Sequence, residues 1–220
     1  MTFLIGVEMM KKKENYFYDD AYKQIRDKIL NGEIDPSTKL TETKLAESLN
    51  ISRTPIRYAI SKLEQEGLIK NKKVYIPTEK DIRNIFQVRT LLEGYAAKFC
   101  ASYISVESLE KLEESIEIGN TGTPSEQLEA NFLFHHILVS ETNNTEIINI
   151  IDRMQSIIYM FRRIVTLQKR PRLVEEHQEI FEAIKAGDGD LAEELIVQHL
   201  QKDLEFSINR IDRFEQNNRL

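Results

Sequence analysis

Four polar residues in the C-terminal half of the chain have the residue types and spacing of a metal site. Asn131 and His135 are four residues apart, so they lie on one face of a helix. His177 and His199 fall in two later helical segments, and a helical bundle can direct side chains from several helices to one interior point. Imidazole suits zinc, nickel and similar divalent ions. The spacing alone leaves two interpretations open: a metal site, or unrelated histidines on separate helices.

A second set of candidate residues lies at a positively charged helix start in the N-terminal half. The apolar residues of this helix recur at helical spacing and form an inward face: Ile56, Ala59, Ile60 and Leu63. Arg53, Thr54 and Arg57 lie off that face, at the helix N-terminus. Helix N-termini favour phosphate, and arginine there can contact guanine edges in a major groove. The pattern indicates DNA binding or, alternatively, a helical hairpin with a solvated basic end.

These basic residues belong to a predicted helix-turn-helix over residues 41–69. The first helix has one apolar face, formed by Leu45, Ala46 and Leu49. Asn50-Ile51 makes the turn. We expect the Ser52 hydroxyl to cap the second helix and Gly67 to end it.

The segments that flank the helix-turn-helix predict a winged form of this motif. A helix over about residues 19–30 precedes it. Residues 68–69 and 74–76 predict two short strands, and residues 70–73 connect them. Lys72 and Lys73 in this connection are candidate phosphate contacts, although an ordinary basic turn explains them too.

The rest of the chain shows only helical periodicity, so we predict a mainly α protein with two folded domains. Pro77-Thr78 is the expected hinge. Later helices are predicted at about 125–140, 145–167, 171–186 and 188–213. The predicted organisation is a mobile arm (1–17), a winged helix-turn-helix with a small β-hairpin wing (18–77) and an all-α helical-bundle effector domain (78–220).

The charge distribution agrees with two domains of different roles. The whole chain of 220 residues has a net charge of −6, but residues 11–77 hold 14 basic and 10 acidic residues, whereas residues 78–220 hold 16 and 25. Cys100 is the single cysteine and lies in an apolar helical run, which suits a reducing cytoplasm. No apolar run approaches the roughly 20 residues that span a bilayer, and MTFLIGVEMM lacks the features of a signal peptide. We therefore expect a cytoplasmic protein without membrane contact.

The motif SRTPIRYAISKLEQEGLI resembles the recognition helix of GntR-family bacterial transcription regulators, and the similarity extends through the preceding AYKQIRDKILNGEIDPSTKLTETKLAESLN. The resemblance implies double-stranded DNA as the partner, in the form of a palindromic operator bound by a homodimer. The sequence departs from the family pattern at two places. The wing is shorter than usual, and Thr43 stands where many relatives have a DNA-contacting arginine.

The C-terminal half resembles the FCD effector domain in IFQVRTLLEGYAAKFCA, FHHILVSETNN and EHQEIFEAIKAGDGDLAEELIVQHL. In metal-binding FCD proteins an Asp and three His hold a divalent ion of the zinc, nickel or manganese class. These positions fall on Asn131, His135, His177 and His199, so the histidines match and the Asp is an Asn. The resemblance implies a small carboxylate effector in the same cavity, which Arg89 is a candidate to contact; a structural ion pair with Glu93 is the alternative for Arg89.

Together these features predict a ligand-responsive, DNA-binding transcriptional regulator, a repressor that senses a small organic acid through a metal-containing helical domain. A metal-dependent enzyme on the helical half is one alternative, because three histidines resemble catalytic zinc sites. No HExxH motif or glycine-rich phosphate loop supports it, and we expect no enzyme. A regulator with a vestigial effector pocket is the other alternative, which Asn131 keeps open.

Overall fold

The computed structural model describes residues 18–165 and 170–218. The chain divides into two compact units between Ile76 and Pro77, and each unit is described by itself. The predicted mobile arm, residues 1–17, lies outside the described residues. The mainly α fold class predicted from the sequence is confirmed.

The N-terminal unit is a winged helix-turn-helix. Its elements are α1 (residues 18–30), α2 (Glu42–Leu49), α3 (Arg53–Gln65), β1 (Ile69–Lys70) and β2 (Lys73–Val74). The two strands pair antiparallel, with Ile69 opposite Val74. Apolar side chains from α1, from α3 and from the loop before β1 are fully buried and form the centre of its core: Ile25, Ile29, Ile56, Leu63 and Leu68. Asn50 takes the left-handed conformation that turns the chain from α2 into α3.

Two local expectations for this unit are wrong. Ser52 is the N-cap residue of α3, but its hydroxyl makes no capping hydrogen bond, so α3 begins with free amides. The wing strands are Ile69–Lys70 and Lys73–Val74 rather than residues 68–69 and 74–76. Asn71 and Lys72 both have positive φ, as a two-residue hairpin turn requires, and this tight turn lets the strands pair almost to the tip.

The C-terminal unit is all α. Its helices are α4 (Glu79–Tyr103), α5 (Val106–Thr121), α6 (Pro124–Ser140), α7 (Thr145–Val165), α8 (Leu173–Lys185) and α9 (Gly189–Asn218). Local sequence signals fix several helix starts. Thr78 and Asp81 form a capping box before α4, and Thr123 with Glu126 forms another before α6.

The packing of this unit brings α4, α6, α8 and α9 around one interior region. α4 packs along α9, which also contacts α8, and α6 packs against α4, α5 and α7. The inner face of α4 is apolar at Ile82, Ile85 and Phe86, and then carries the buried charged residues Arg89 and Glu93. Buried charge in a helical core requires partners, and those partners form the site described next. Within residues 18–165 and 170–218, no helix combines the length and the apolar character needed to cross a bilayer.

Candidate metal centre and nucleic-acid interface

Three histidines from three helices converge in the interior of the C-terminal unit. His135 on α6, His177 on α8 and His199 on α9 each offer a nitrogen, and these nitrogens lie within 4.8 Å of one another. All three side chains are buried. The Nε2 atoms of His135 and His199 lie 3.3 Å apart. The structure therefore brings together residues that are up to 64 positions apart in the sequence.

The ring of His135 is oriented by a buried carboxylate. Its Nδ1 atom lies 2.6 Å from Oε2 of Glu93, and Glu93 accepts from Arg89 through Oε1, also at 2.6 Å. Burial lowers the pKa of His135 to about 4, although Glu93 acts in the opposite direction. Burial raises the pKa of Glu93, but Arg89 and His135 outweigh it and lower the value to about 2. A neutral imidazole that donates from Nδ1 to an ionised carboxylate keeps its Nε2 lone pair free, as a metal ligand requires.

His199 also faces a buried carboxylate through Nδ1, and Nη2 of Arg170 lies 3.3 Å from the same nitrogen. The Nδ1 atom of His199 lies 3.0 Å from Oε2 of Glu176, and Arg170 binds the same carboxylate. Arg170 also donates from Nε to Oδ1 of Asp203 at 2.8 Å, and Asp203 accepts from Arg162. Burial raises the pKa of Glu176, yet hydrogen bonds from His199 and Arg170 hold it well below its usual range. This network leaves the Nε2 atom of His199 directed towards His135.

His177 is held by stacking. Its ring lies parallel to the ring of Phe134, with centroids 3.9 Å apart. Burial lowers the pKa of His177 well below its ordinary value. Its Nε2 atom is buried and has no hydrogen-bond partner in the described part of the chain. A neutral, buried imidazole nitrogen without a partner is unfavourable in the absence of a ligand.

Asn131 lies one helical turn before His135 on α6. Its Oδ1 atom is buried, and none of the residues that the structure describes gives it a hydrogen-bond donor. Asn131 therefore shares with His177 a buried polar group that a bound ion or molecule would satisfy.

The residues present fit a divalent metal ion. In a tetrahedral zinc site with Zn–N bonds of about 2.0–2.1 Å, two ligand nitrogens lie roughly 3.3–3.4 Å apart. The separation of the His135 and His199 Nε2 atoms, 3.3 Å, matches this spacing. Two of the three imidazoles are also oriented through Nδ1 by carboxylates, which is the usual support of a histidine ligand.

A small cavity that is partly open to solvent adjoins Asn131. Its lining comes from three helices and includes Arg89, Asn131, Gln155 and Arg162. Arg89 both pairs with Glu93 and faces the cavity, so the two roles considered for it from the sequence do not exclude each other. The Nε2 atom of Gln155 and the Nε atom of Arg162 are buried and lack acceptors within the described ranges.

The sequence interpretation missed Gln155 and Arg162. They are seven residues apart on α7 and lie on a face that is otherwise apolar, with Ile151, Ile158 and Phe161 buried beside them. The sequence does contain a signal for them, since both are polar residues that interrupt an apolar stripe at helical spacing. The side chain of the neighbouring Arg163 lies outside the described residues.

His136 is not part of the cluster. Its Nδ1 lies 2.8 Å from Oδ1 of Asp152, and its side chain is 36% exposed. The hydrogen bond with Asp152 raises its pKa.

The candidate DNA-contacting residues are exposed on the N-terminal unit. Arg53, Thr54 and Arg57 project from the first turns of α3, whose opposite face buries Ile56 and Ala59. Other candidates are exposed on α2 and at the wing: Thr43, Lys72 and Lys73. Tyr58, which the sequence interpretation did not select, lines the same concave surface as Thr54 and Arg57, and it is 49% exposed.

A winged helix-turn-helix joined to an all-helical domain with a buried histidine cluster defines a class of bacterial transcription regulators, and sequence comparison identifies the family. The model of the FCD domain matches residues 84–202, and the model of bacterial regulatory proteins of the gntR family matches residues 17–73. The chain belongs to the GntR family of transcriptional regulators, in the branch with an FCD domain. GntR regulators bind DNA, and this chain is a DNA-binding transcriptional regulator of that type.

Individual members of the family are similar to this chain over most of their length. The HTH-type transcriptional regulator YdhC of Bacillus subtilis is 30% identical, over 88% of this chain and 92% of that protein. The repressor RspR of Escherichia coli is 27% identical (82% and 84%), and the gluconate operon repressor of Bacillus licheniformis is 28% identical (76% and 75%). Two solved structures share the fold with a TM-score of 0.74: E. coli McbR/YncC, at 16% identity over 89% and 98% of the two chains, and a GntR regulator from Rhodococcus sp. RHA1, at 20% over 87% and 97%.

Proposed function

We propose that this regulator is a metal-dependent sensor of a small organic acid that represses transcription as a homodimer. The observation that carries the proposal is the buried histidine cluster beside a polar cavity, because both contain uncompensated polar atoms. A core that served stability alone would not keep such atoms unsatisfied.

The DNA contacts in this proposal come from the exposed side of α3. Arg53, Thr54 and Arg57 enter the major groove, and Lys72 and Lys73 at the wing bind the phosphate backbone. Thr43, at the start of α2, contacts DNA with a short side chain. One winged helix covers one half-site, and the two-fold symmetry of a homodimer matches a palindromic operator.

The metal in this proposal is a divalent ion of the zinc, nickel or manganese class. Its ligands are Asn131, His135, His177 and His199. When bound, the ion supplies a positive centre that holds a carboxylate of the effector. Glu93 and Glu176 hold the rings of His135 and His199 in the orientation that the ion requires.

The effector in this proposal occupies the cavity between α4, α6 and α7. Arg89 supplies N–H donors to its carboxylate, while its pairing with Glu93 fixes the guanidinium. The acid changes DNA affinity only to the extent that it binds the DNA-competent and DNA-incompetent arrangements of the dimer with different affinity. We assign the protein to the cytoplasm and expect no catalytic turnover.

Selection of bound sequences from random double-stranded DNA tests this proposal. The full-length protein should enrich a palindrome, and a mixture of small organic acids should lower its affinity for that palindrome only when the protein holds metal. Removal of metal with a chelator is the control. An operator affinity that no acid changes, in protein with stoichiometric metal, would contradict the sensor function but leave the DNA-binding assignment in place.

A further inference from the structure

The buried charged side chains of the C-terminal unit carry equal numbers of positive and negative charges. Among the residues whose side chains the structure describes, the buried charged side chains are three arginines and three carboxylates: Arg89, Arg162, Arg170, Glu93, Glu176 and Asp203. Each carboxylate is within hydrogen-bond distance of a guanidinium. Glu93 pairs with Arg89, Glu176 pairs with Arg170, and Asp203 pairs with both Arg162 and Arg170. The network has no net charge before an ion is added.

A divalent ion disturbs this balance. The histidines that would hold it bind metals as neutral imidazoles, and the fourth position, Asn131, is a neutral amide. Loading the site therefore adds two positive charges to a buried region whose carboxylates are already paired. Lys202, which also contacts Glu176, is half-exposed and positive, so it does not compensate them. Uncompensated buried charge is strongly unfavourable.

We infer that the effector is a small dicarboxylate, whose two negative charges offset those of the ion. This inference rests on the proposed function, since it assumes that the histidine cluster holds a divalent metal. One carboxylate binds at the metal beside Asn131. The other binds at the far wall of the cavity, on α7.

The far wall has the donors that a second carboxylate needs. Gln155 Nε2 and Arg162 Nε are buried, line the same cavity and lack acceptors among the described residues. They are donor atoms only, so they favour an anionic or carbonyl oxygen over a methyl group. Arg162 remains held by Asp203 through a different nitrogen, which leaves Nε available. The cavity is small, which favours an acid of a few carbons.

Calorimetric titration of the zinc-loaded full-length protein with succinate and with butyrate tests the inference. The two acids have the same chain length and differ only in that one end is a carboxylate or a methyl group. We expect succinate to bind at least about tenfold more tightly than butyrate. Equal affinities, or tighter binding of butyrate, would overturn the inference while leaving an acid sensor intact. If neither acid, nor any other small organic acid, binds to protein with full zinc content, the sensor function itself fails.

Two variants test where the two carboxylates of the acid bind. Asn131→Asp adds one negative charge at the metal, so the preference for succinate over butyrate should shrink about tenfold or more, with zinc content retained by elemental analysis. Gln155→Leu should weaken succinate binding by about tenfold and leave zinc content and butyrate affinity unchanged. Gln178→Leu, an exposed position on α8, is the matched control. An undiminished succinate preference in both Asn131→Asp and Gln155→Leu would overturn the proposed arrangement.

Discussion

Glu93 Oε2 lies 2.6 Å from Nδ1 of His135, and both side chains are fully buried. This contact links α4 to α6 and determines which nitrogen of the imidazole is free. Because Arg89 holds the same carboxylate, the orientation of His135 depends on a buried ion pair within α4. The candidate metal centre and the candidate effector cavity are therefore coupled through Glu93, since Arg89 also lines the cavity.

Glu93→Gln should destabilise the protein and weaken metal binding. The substitution removes the charge that compensates Arg89, which is unfavourable in a buried site by about 3 kcal/mol. Loss of the carboxylate behind a histidine ligand should lower metal affinity by roughly 10–100-fold. Urea denaturation and competition with a chelator measure the two effects.

The matched control for this change lies on the same helix. Arg83 and Glu79 also pair four residues apart on α4, but their side chains are 55% and 45% exposed. Glu79→Gln should change the free energy of unfolding by less than about 1 kcal/mol. Equal effects of the two substitutions would show that Glu93 has no special role at the site.

Arg57→Ala should weaken operator binding without unfolding the protein. Arg57 is exposed on α3, and loss of a contact to a guanine edge removes about 1–3 kcal/mol of binding free energy, roughly a 5- to 150-fold change in Kd. Fluorescence anisotropy with the selected operator measures the change. Arg83→Ala, an exposed arginine on α4, is the control and should bind normally. An unchanged operator affinity in Arg57→Ala would refute the assigned recognition helix.

Tyr22→Phe should destabilise the DNA-binding unit. The Tyr22 hydroxyl donates to both carboxylate oxygens of Glu66, at 2.8 and 2.9 Å, and thereby connects α1 to the end of α3. A half-buried hydrogen bond to a charged group contributes about 1 kcal/mol. Burial raises the pKa of Tyr22, so this contribution is present at neutral pH and is lost only as pH rises beyond the ordinary tyrosine range. Thermal denaturation measures this loss of stability. Tyr103→Phe is the control, because Tyr103 is 70% exposed. Equal melting temperatures of the two variants would contradict the prediction.

The metal-free protein should lose stability as pH falls from about 6.5 towards 4. The pKa of His135 is lowered to about 4, whereas an unfolded histidine titrates near 6.5. Between these values the unfolded chain binds more protons, so the contribution, about 3 kcal/mol, is present above pH 6.5 and disappears on acidification. Urea denaturation at several pH values measures it.

His136 provides an internal contrast for the pH dependence. Asp152 raises its pKa, so His136 stabilises the protein at low pH and loses that effect as pH rises. His136→Gln should therefore make the acid-induced loss larger. A free energy of unfolding that does not change between pH 7.5 and 5 would contradict the neutral, buried state of His135.

Much of the fold followed from the sequence because local rules decide helices and their ends. Apolar periodicity placed the predicted helices at 125–140, 145–167, 171–186 and 188–213 to within about five residues of α6 to α9. The short strands of the wing could not be placed in this way. Their register depends on Asn71 and Lys72 adopting positive φ together, and lysine gives no signal of that conformation.

The candidate site was only partly accessible from the sequence. Helical spacing relates Asn131 to His135, but only the packing of α6, α8 and α9 shows that His177 and His199 reach the same point. The carboxylates that orient the histidines are equally non-local: Glu93 is 42 residues from His135. The roles of these residues in binding metal, effector or DNA stay predictions.

Elemental analysis, with native mass spectrometry, of protein purified without chelator or histidine tag tests the central claim most directly. The wild-type protein should carry about one divalent ion per chain, and His177→Ala should carry far less while retaining operator binding. His136→Ala, next to the cluster but outside it, should keep its metal. Metal-free wild-type protein that also fails to take up zinc, or stoichiometric metal in His177→Ala, would contradict the account.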